Sequence, residues 1–235
     1  MVNPFMTTTF NEKWIERPIG EISEELESWL EEETTEGLLR IGEAIYQVTI
    51  EANERMIYFM DVTDQEEAFD KFHQSKTVLA MLYLDNYDEV MQGIDDQVRG
   101  RMMSIVTKTL NEWADYYGVY LRRTSVDRFI AVMHAYALKE MEESRFEIID
   151  HIREETAKEK IAITLSIGVG TDEDDLRELG KIAQSSLDLA LGRGGDQVAI
   201  KRKNGRVRFM VGSRMRWKNE HELERGSFPM HYVTL

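Results

Sequence analysis

Apolar and polar positions follow two different patterns along the chain, and the pattern changes near residue 63. In the first part, two short apolar runs separated by a polar turn predict a β-hairpin over 47–60. Thr63 and Glu66 follow with the spacing of a capping box, which predicts the start of a polar helix. We therefore expect a small domain over 1–63 and a linker helix over 64–77.

The second part has the alternating pattern of a larger domain that mixes helices and strands. A nearly continuous apolar run at 78–84 predicts a buried strand, and apolar residues at helical spacing between 102 and 117 predict a long helix. The expected fold class is α+β, with a central antiparallel or mixed sheet flanked by helices. The other predicted elements are a hairpin with strands at 119–121 and 129–133, a helix at 142–155, a strand at 161–170, a helix at 176–190 and a hairpin with strands at 198–201 and 207–209.

Composition and charge narrow the classes of function. The formal net charge of −15 over 235 residues argues against binding to nucleic acid, which requires a cationic surface. The absence of cysteine excludes disulfides, thiolate nucleophiles and cysteine zinc sites. No stretch reaches the roughly 18 consecutive apolar residues of a membrane span. We expect the chain to be cytoplasmic.

The turn of the first hairpin in the second part, at 123–129, lies where a diguanylate cyclase carries its Gly-Gly-Asp-Glu-Phe signature. Ser125 and Val126 stand in place of the two glycines, and Arg128 stands in place of the metal-binding Glu. The pattern indicates a cyclase fold without cyclase chemistry.

Three segments, at 84–90, 92–97 and 183–201, resemble the GdpP family of cyclic-di-AMP phosphodiesterases, and the likeness extends over nearly all of 1–209. It implies a truncated PAS domain over 1–63, a signalling helix over 64–77 and a degenerate GGDEF domain, with the fold of a nucleotide-cyclase palm, over 78–209. The alternative for the helix is a plain connection between any two domains.

Matched to the cyclase pattern, few ligands of the cyclase site remain. The family resemblance places Tyr83 at the metal-binding Asp and Asp85 at its neighbour; Met91 and Gly100 fall where guanine is read, and Leu191 and Gly195 where phosphate is contacted. Two-metal phosphoryl transfer needs carboxylates to hold its ions, so we assign no catalytic and no metal-binding residue. A degenerate nucleotide site is expected at Asp85, Ser125, Asp127 and Arg128. The alternative is that Asp127 and Arg128 are polar residues of an exposed turn.

The resemblance also implies cofactors and partners. It implies ATP with magnesium in the GGDEF domain, with at most weak hydrolysis, and haem in an intact PAS domain. All five histidines, at positions 73, 134, 151, 221 and 231, lie outside the PAS part, which argues against haem binding here. The implied partners are a covalently linked DHH/DHHA1 phosphodiesterase domain and a second copy, bound through the PAS domain and linker helix. The parent protein would be anchored in the bacterial membrane.

Three functions follow from these observations: a regulatory part of a phosphodiesterase, a slow ATPase, or a structural dimerisation module. The family likeness stops after Phe209. If one T is restored after the Phe209 codon, the neighbouring frame can read a sequence that resembles the family's linker into the DHH domain. We interpret 210–235 as a frame-shifted tail that packs poorly or stays disordered; the alternative is an idiosyncratic extension.

Overall fold

The computed structural model describes residues 18–21 and 23–212. The chain divides between Phe72 and His73 into two compact units. Among the described residues, no helix combines the length and the apolar character needed to cross a bilayer. The tail that the sequence analysis assigns to a frame shift lies outside the described residues from position 213 onward.

In its described residues, the first unit contains a three-stranded antiparallel meander, a helix that precedes it and most of the helix that follows it. Helix α1 is Glu24–Glu31 and is capped by the Ser23 hydroxyl, which accepts hydrogen bonds from Glu25 N and Leu26 N at 3.2 and 3.4 Å. The strands are β1 (Glu36–Ile41), β2 (Ala44–Glu51) and β3 (Met56–Asp61), in the order β1-β2-β3. The core of this unit consists of Leu26, Leu39, Tyr46, Val48 and Ile50.

Helix α2, Thr63–Gln74, occupies the predicted linker, but its start differs from the predicted capping box. The Thr63 hydroxyl accepts a hydrogen bond from Ile45 N at 2.9 Å and donates to Asp61 Oδ1 at 2.6 Å. Glu66 N donates to Val62 O instead. The threonine therefore ties the helix to β2, because the neighbouring strand offers a backbone donor that the sequence spacing does not reveal.

The second unit is built on a six-stranded mixed sheet in the order β5-β6-β4-β7-β8-β9. Only β7 and β8 are parallel; the other neighbouring strands are antiparallel. The strands are β4 (Thr77–Leu84), β5 (Tyr120–Arg123), β6 (Arg128–His134), β7 (Leu165–Thr171), β8 (Gln197–Arg202) and β9 (Val207–Val211). The helices are α3 (Tyr87–Met91), α4 (Asp96–Tyr116), α5 (Ala135–Glu143), α6 (Ile148–Ala157) and α7 (Leu176–Gly192).

Strand β7 is fully buried because both of its faces are covered. Ile167 and Val169 point into the main core, which α4 and α6 help to form. The opposite face carries Gly168 and Gly170, and there α7 approaches the strand. A Cβ added at Gly168 would lie 2.1 Å from Leu187 N, so only glycine lets this helix lie on the sheet.

Two predicted elements are wrong in extent. The helix predicted at 142–155 is interrupted, because Arg145 and Phe146 have positive φ angles of 55° and 50° and Phe146 is buried. The strand predicted at 161–170 begins at Leu165. Before it, the backbone is bonded to side chains: Ile163 N donates to Thr156 Oγ1 at 3.0 Å and Thr164 N donates to Asn86 Oδ1 at 3.0 Å.

The last hairpin also extends past the predicted boundary at 210. Met210 pairs with Val198 and Val211 pairs with Gln197, and Met210 packs against the main core. These two residues belong to the sheet because the turn at Asn204 and Gly205 sets a register in which β9 pairs with β8 as far as Gln197.

The close approach at Gly168 predicts a large effect of a single methyl group. We expect Gly168→Ala to lower the free energy of unfolding by about 3 kcal/mol, because the added Cβ meets the backbone of Leu187. Gly180→Ala is the matched control, since a Cβ there has nothing within 4 Å, and it should raise stability by about 0.5–1 kcal/mol. Urea denaturation followed by circular dichroism measures both; equal effects would contradict the packing described here.

Candidate functional site

The site predicted from the sequence lies at one end of the central strands of the six-stranded sheet, where β4 ends and β6, β7 and β8 begin. This row of strand ends is called the functional edge of the sheet. Asp85 directly follows β4, and the turn at 124–127 directly precedes β6. Because β6 and β7 are antiparallel to β4 and β8 is parallel to β7, Thr164 and Asp196 reach the same edge. Leu84 N donates to Asp127 O at 2.9 Å and Asp85 N donates to Thr164 O at 3.0 Å, which joins these segments.

The turn that replaces the cyclase signature is closed by its own side chains. The Ser125 hydroxyl donates to Asp127 Oδ1 at 2.5 Å. Arg123 donates from Nε to Ser125 O at 2.8 Å and from a guanidinium NH₂ to Val126 O at 2.9 Å. Ser125 and Val126 keep negative φ angles, so the turn does not use a conformation that requires glycine. The Arg123 guanidinium therefore holds the backbone of this turn in place.

Arg128 and Tyr83 form a pair at the two positions that the resemblance matches to metal-binding carboxylates of a cyclase. They lie opposite each other on β6 and β4, with the guanidinium 5.2 Å from the centre of the tyrosine ring. A fixed positive charge repels a divalent cation, and neither side chain offers a carboxylate. The described residues also contain no cluster of three His, Asp or Glu side chains that could hold a metal ion. Residues at this edge do not fit the two-metal site of a cyclase.

Asp85 is turned toward the glycine-rich turn before β8. Its Oδ2 accepts a hydrogen bond from Asp196 N at 2.8 Å. Gly195 has a φ of +74°, and a Cβ at this position would lie 2.8 Å from Asp85 Oδ2, so the contact depends on glycine. Burial raises the pKa of Asp85 above its ordinary value, although the hydrogen bond from Asp196 N opposes the shift.

Asp196 belongs to a buried ionic cluster with Arg153 and Asp150. The Arg153 guanidinium donates to Asp150 Oδ1 at 3.0 Å and forms a short contact with Asp196 Oδ2. Asp196 and Asp150 are only 4% and 7% exposed. Burial by itself lowers the pKa of Arg153, but the hydrogen bond and charge of Asp196 outweigh it and leave the pKa raised. The cluster joins α6 to the start of β8.

The four predicted site residues thus make three separate contacts and do not contact one common group. Ser125 and Asp127 contact each other, Arg128 contacts Tyr83, and Asp85 holds the turn at Gly195 and Asp196. The sequence analysis missed the part played by Asp150, Arg153 and Asp196. One signal for them was present in the sequence, the Gly194-Gly195-Asp196 motif within the segment at 183–201.

Comparison with known proteins places the chain in a family. The profile of the GGDEF domain of cyclic-di-AMP phosphodiesterase GdpP-like proteins matches residues 82–209, and the profile of their PAS domain matches residues 1–62. The chain belongs to the GdpP-like family. It therefore contains PAS and GGDEF domains of that family, and the expected palm fold of the second unit is confirmed.

Relatives in the family are longer proteins. The chain is 48% identical over 212 residues to cyclic-di-AMP phosphodiesterase GdpP of Geobacillus thermodenitrificans, which covers 89% of the chain and 32% of the relative. It is 47% identical over 211 residues to GdpP of Bacillus subtilis, with 89% of the chain and 32% of the relative covered. For phosphodiesterase PdeA of Listeria monocytogenes the identity is 43% over 214 residues, covering 90% and 33%. The chain spans about a third of the length of these relatives.

The burial of Asp85 predicts a specific pH dependence. With a raised pKa, the folded state binds this proton more tightly than the unfolded state, so Asp85 makes the free energy of unfolding fall as pH rises above 3.8. Asparagine can accept the bond from Asp196 N without a charge. We expect Asp85→Asn to gain stability relative to the wild type between pH 4 and pH 7 in urea denaturation. Asp88→Asn, at an exposed position of α3, serves as the control. A difference from the wild type that does not change with pH would refute the prediction.

Proposed function

We propose that this chain is the sensory and regulatory part of a cyclic-di-AMP phosphodiesterase, and that its GGDEF domain transmits a signal without catalysing a reaction. The observation that carries the proposal is the Arg128–Tyr83 pair, which fills the metal-ligand positions of a cyclase. The relatives named as cyclic-di-AMP phosphodiesterases support the choice of substrate for the whole protein. The resemblance implies that hydrolysis is carried out by a linked DHH/DHHA1 domain.

The chain offers a direct route from the linker helix to the GGDEF sheet. Helix α2 ends at Gln74 and β4 begins at Thr77. The carbonyl groups between them are held by the second unit: His134 Nδ1 contacts Ser75 O at 2.8 Å, and Ala135 N donates to Lys76 O at 2.9 Å. Strand β4 lies between β6 and β7 in the sheet and ends at Asp85. We infer that a displacement of α2 reaches the opposite edge of the sheet through β4.

ATP with magnesium stays a prediction for this chain, and haem stays a prediction only for an intact PAS domain. The geometry favours the regulatory function over ATP hydrolysis, because the polar groups of the site are bonded within the protein. The Asp127 carboxylate accepts a hydrogen bond from the Ser125 hydroxyl, and the Arg128 guanidinium lies over the Tyr83 ring.

A chimera tests the regulatory function. Residues 1–209 would replace the matching region of Bacillus subtilis GdpP, and hydrolysis of cyclic-di-AMP would be measured. We expect hydrolysis to continue and to change when three glycines are inserted between Gln74 and Ser75, because the insertion uncouples α2 from β4. Three glycines inserted between Glu159 and Lys160, in an exposed turn after α6, are the control. Identical rates for both insertions and for GdpP without these domains would argue against regulation through β4.

We further propose that the chain forms a homodimer through α2. No residue of this helix is buried, and Phe69 and Phe72, three residues apart on one face, are 56% and 60% exposed. Two helices that pack these faces together would remove the aromatic rings from water.

A charged substitution on the face of α2 that carries Phe69 and Phe72 tests the dimer. We expect the wild type to sediment as a dimer and Phe72→Glu to weaken dimerisation at least about tenfold, because a carboxylate would be buried in the interface. Gln74→Glu adds the same charge at another exposed position of the helix and should leave the dimer intact. Analytical ultracentrifugation over a range of concentrations measures both. A dimer that Phe72→Glu leaves unchanged would place the interface elsewhere.

A further inference from the structure

The hairpin of β8 and β9 carries a cluster of positive charge in a strongly acidic protein. The net charge of the chain is −15, yet residues 201–208 contain five Lys or Arg side chains and no acidic one. The strand register places them unequally. Ile200 pairs with Arg208, and Arg202 N donates to Arg206 O at 3.0 Å, so Arg202, Arg206 and Arg208 lie on one face of the hairpin.

These three arginines line a concave site of about 390 Å³. Its other lining residues are Glu142 from the end of α5, Ile200 from β8, Asn204 from the turn and Val207 from β9. The volume lies within the range of about 300–1,000 Å³ that is usual for small-molecule sites. The site is formed by residues other than those of the former cyclase edge.

Among the residues that the structure describes, the three arginines of the site form ion pairs with two carboxylates. Arg208 forms an ion pair with Glu142 at 3.2 Å, and Arg202 forms one with Asp172 at 3.5 Å. Two carboxylates thus face three guanidinium groups. Like charges on neighbouring strands of a hairpin repel one another, so this face is less stable without an anion than with one.

Asn204 contributes a polar side chain to the lining of this site. Its Oδ1 accepts a hydrogen bond from Arg206 N at 3.0 Å, which fixes the side chain beside the arginines. Its amide NH₂ is a donor that this bond does not use. Guanidinium groups bind phosphate through two parallel hydrogen bonds, and a diphosphate group presents enough oxygens to meet more than one of them.

We propose that this concave site binds a diphosphate-bearing small molecule, such as a nucleoside diphosphate or inorganic pyrophosphate. Its concave shape favours a compact anion over the flat acidic surface of a partner protein, and the charge of the chain as a whole disfavours nucleic acid. The proposal is independent of the regulatory function, because it uses no residue of the Arg128–Tyr83 pair or of the linker.

Calorimetric titration of the whole chain with pyrophosphate, ADP and adenosine at 150 mM NaCl tests the site. We expect pyrophosphate and ADP to bind and adenosine not to bind. Arg206→Gln should weaken both at least about tenfold, because it removes charged hydrogen bonds. Arg206→Lys, which keeps the charge but loses the two-pronged donor, should weaken them by an intermediate factor. Tighter binding of ADP than of pyrophosphate would assign the nucleoside a contact, and equal binding would assign recognition to the diphosphate; both support the proposal.

Two control variants make the result specific. Arg177→Gln removes the same charge from an arginine of α7 that is 89% exposed and outside the site, and should not change binding. Asp127→Asn, in the nucleotide site predicted from the sequence, tests that site as the alternative location of the bound ADP. The proposal fails if the wild type does not bind, if Arg177→Gln weakens binding as much as Arg206→Gln, if only Asp127→Asn abolishes it, or if a polyglutamate peptide binds more tightly than pyrophosphate.

Discussion

The contact between Asp85 and the turn before β8 organises the functional edge of the second unit. It joins the end of β4 to the start of β8, two strands that are separated in the sheet by β7. Gly195 makes the approach possible, and Asp196 continues the connection to Arg153 on α6. Burial of these charges is favourable only because they are bonded to one another. The network joins the end of β4, the start of β8 and α6 beside the nucleotide site predicted from the sequence.

The same edge shows how a fold persists after its chemistry is lost. Strand order, the close packing of α7 on Gly168 and the buried core depend on apolar side chains and on glycines that lie away from the turn at 124–127. Metal binding depends on a few carboxylates whose removal leaves the core unchanged. Tyr83 and Arg128, which the resemblance matches to metal-ligand positions, instead contact each other between β4 and β6. A rigid sheet that follows directly from a helix is suited to transmitting displacement.

Charge is distributed unevenly over the described parts of the protein. Helix α1 has three acidic residues in its first turn, whereas the hairpin of β8 and β9 gathers arginines on one face. The sequence shows the run of basic residues, but only the register separates Arg202, Arg206 and Arg208 from Lys201 and Val207. The period of two along a strand makes that separation obligatory once the turn at Asn204 and Gly205 has set the pairing.

The sequence by itself determined the family, the α+β class and the loss of the metal ligands, because each depends on residue type or on periodicity along the chain. It identified β4, α4 and α7 from their apolar positions. The sequence did not reveal the places where the backbone is bonded to distant side chains. Asn86 and Thr156 accept hydrogen bonds from the backbone of the segment before β7. The Thr63 hydroxyl accepts a hydrogen bond from Ile45 N. Only the tertiary structure decided where Asp85 points, because its donor, Asp196 N, is 111 positions away in the sequence. Local patterns specify which elements form, and long-range hydrogen bonds decide which polar groups meet.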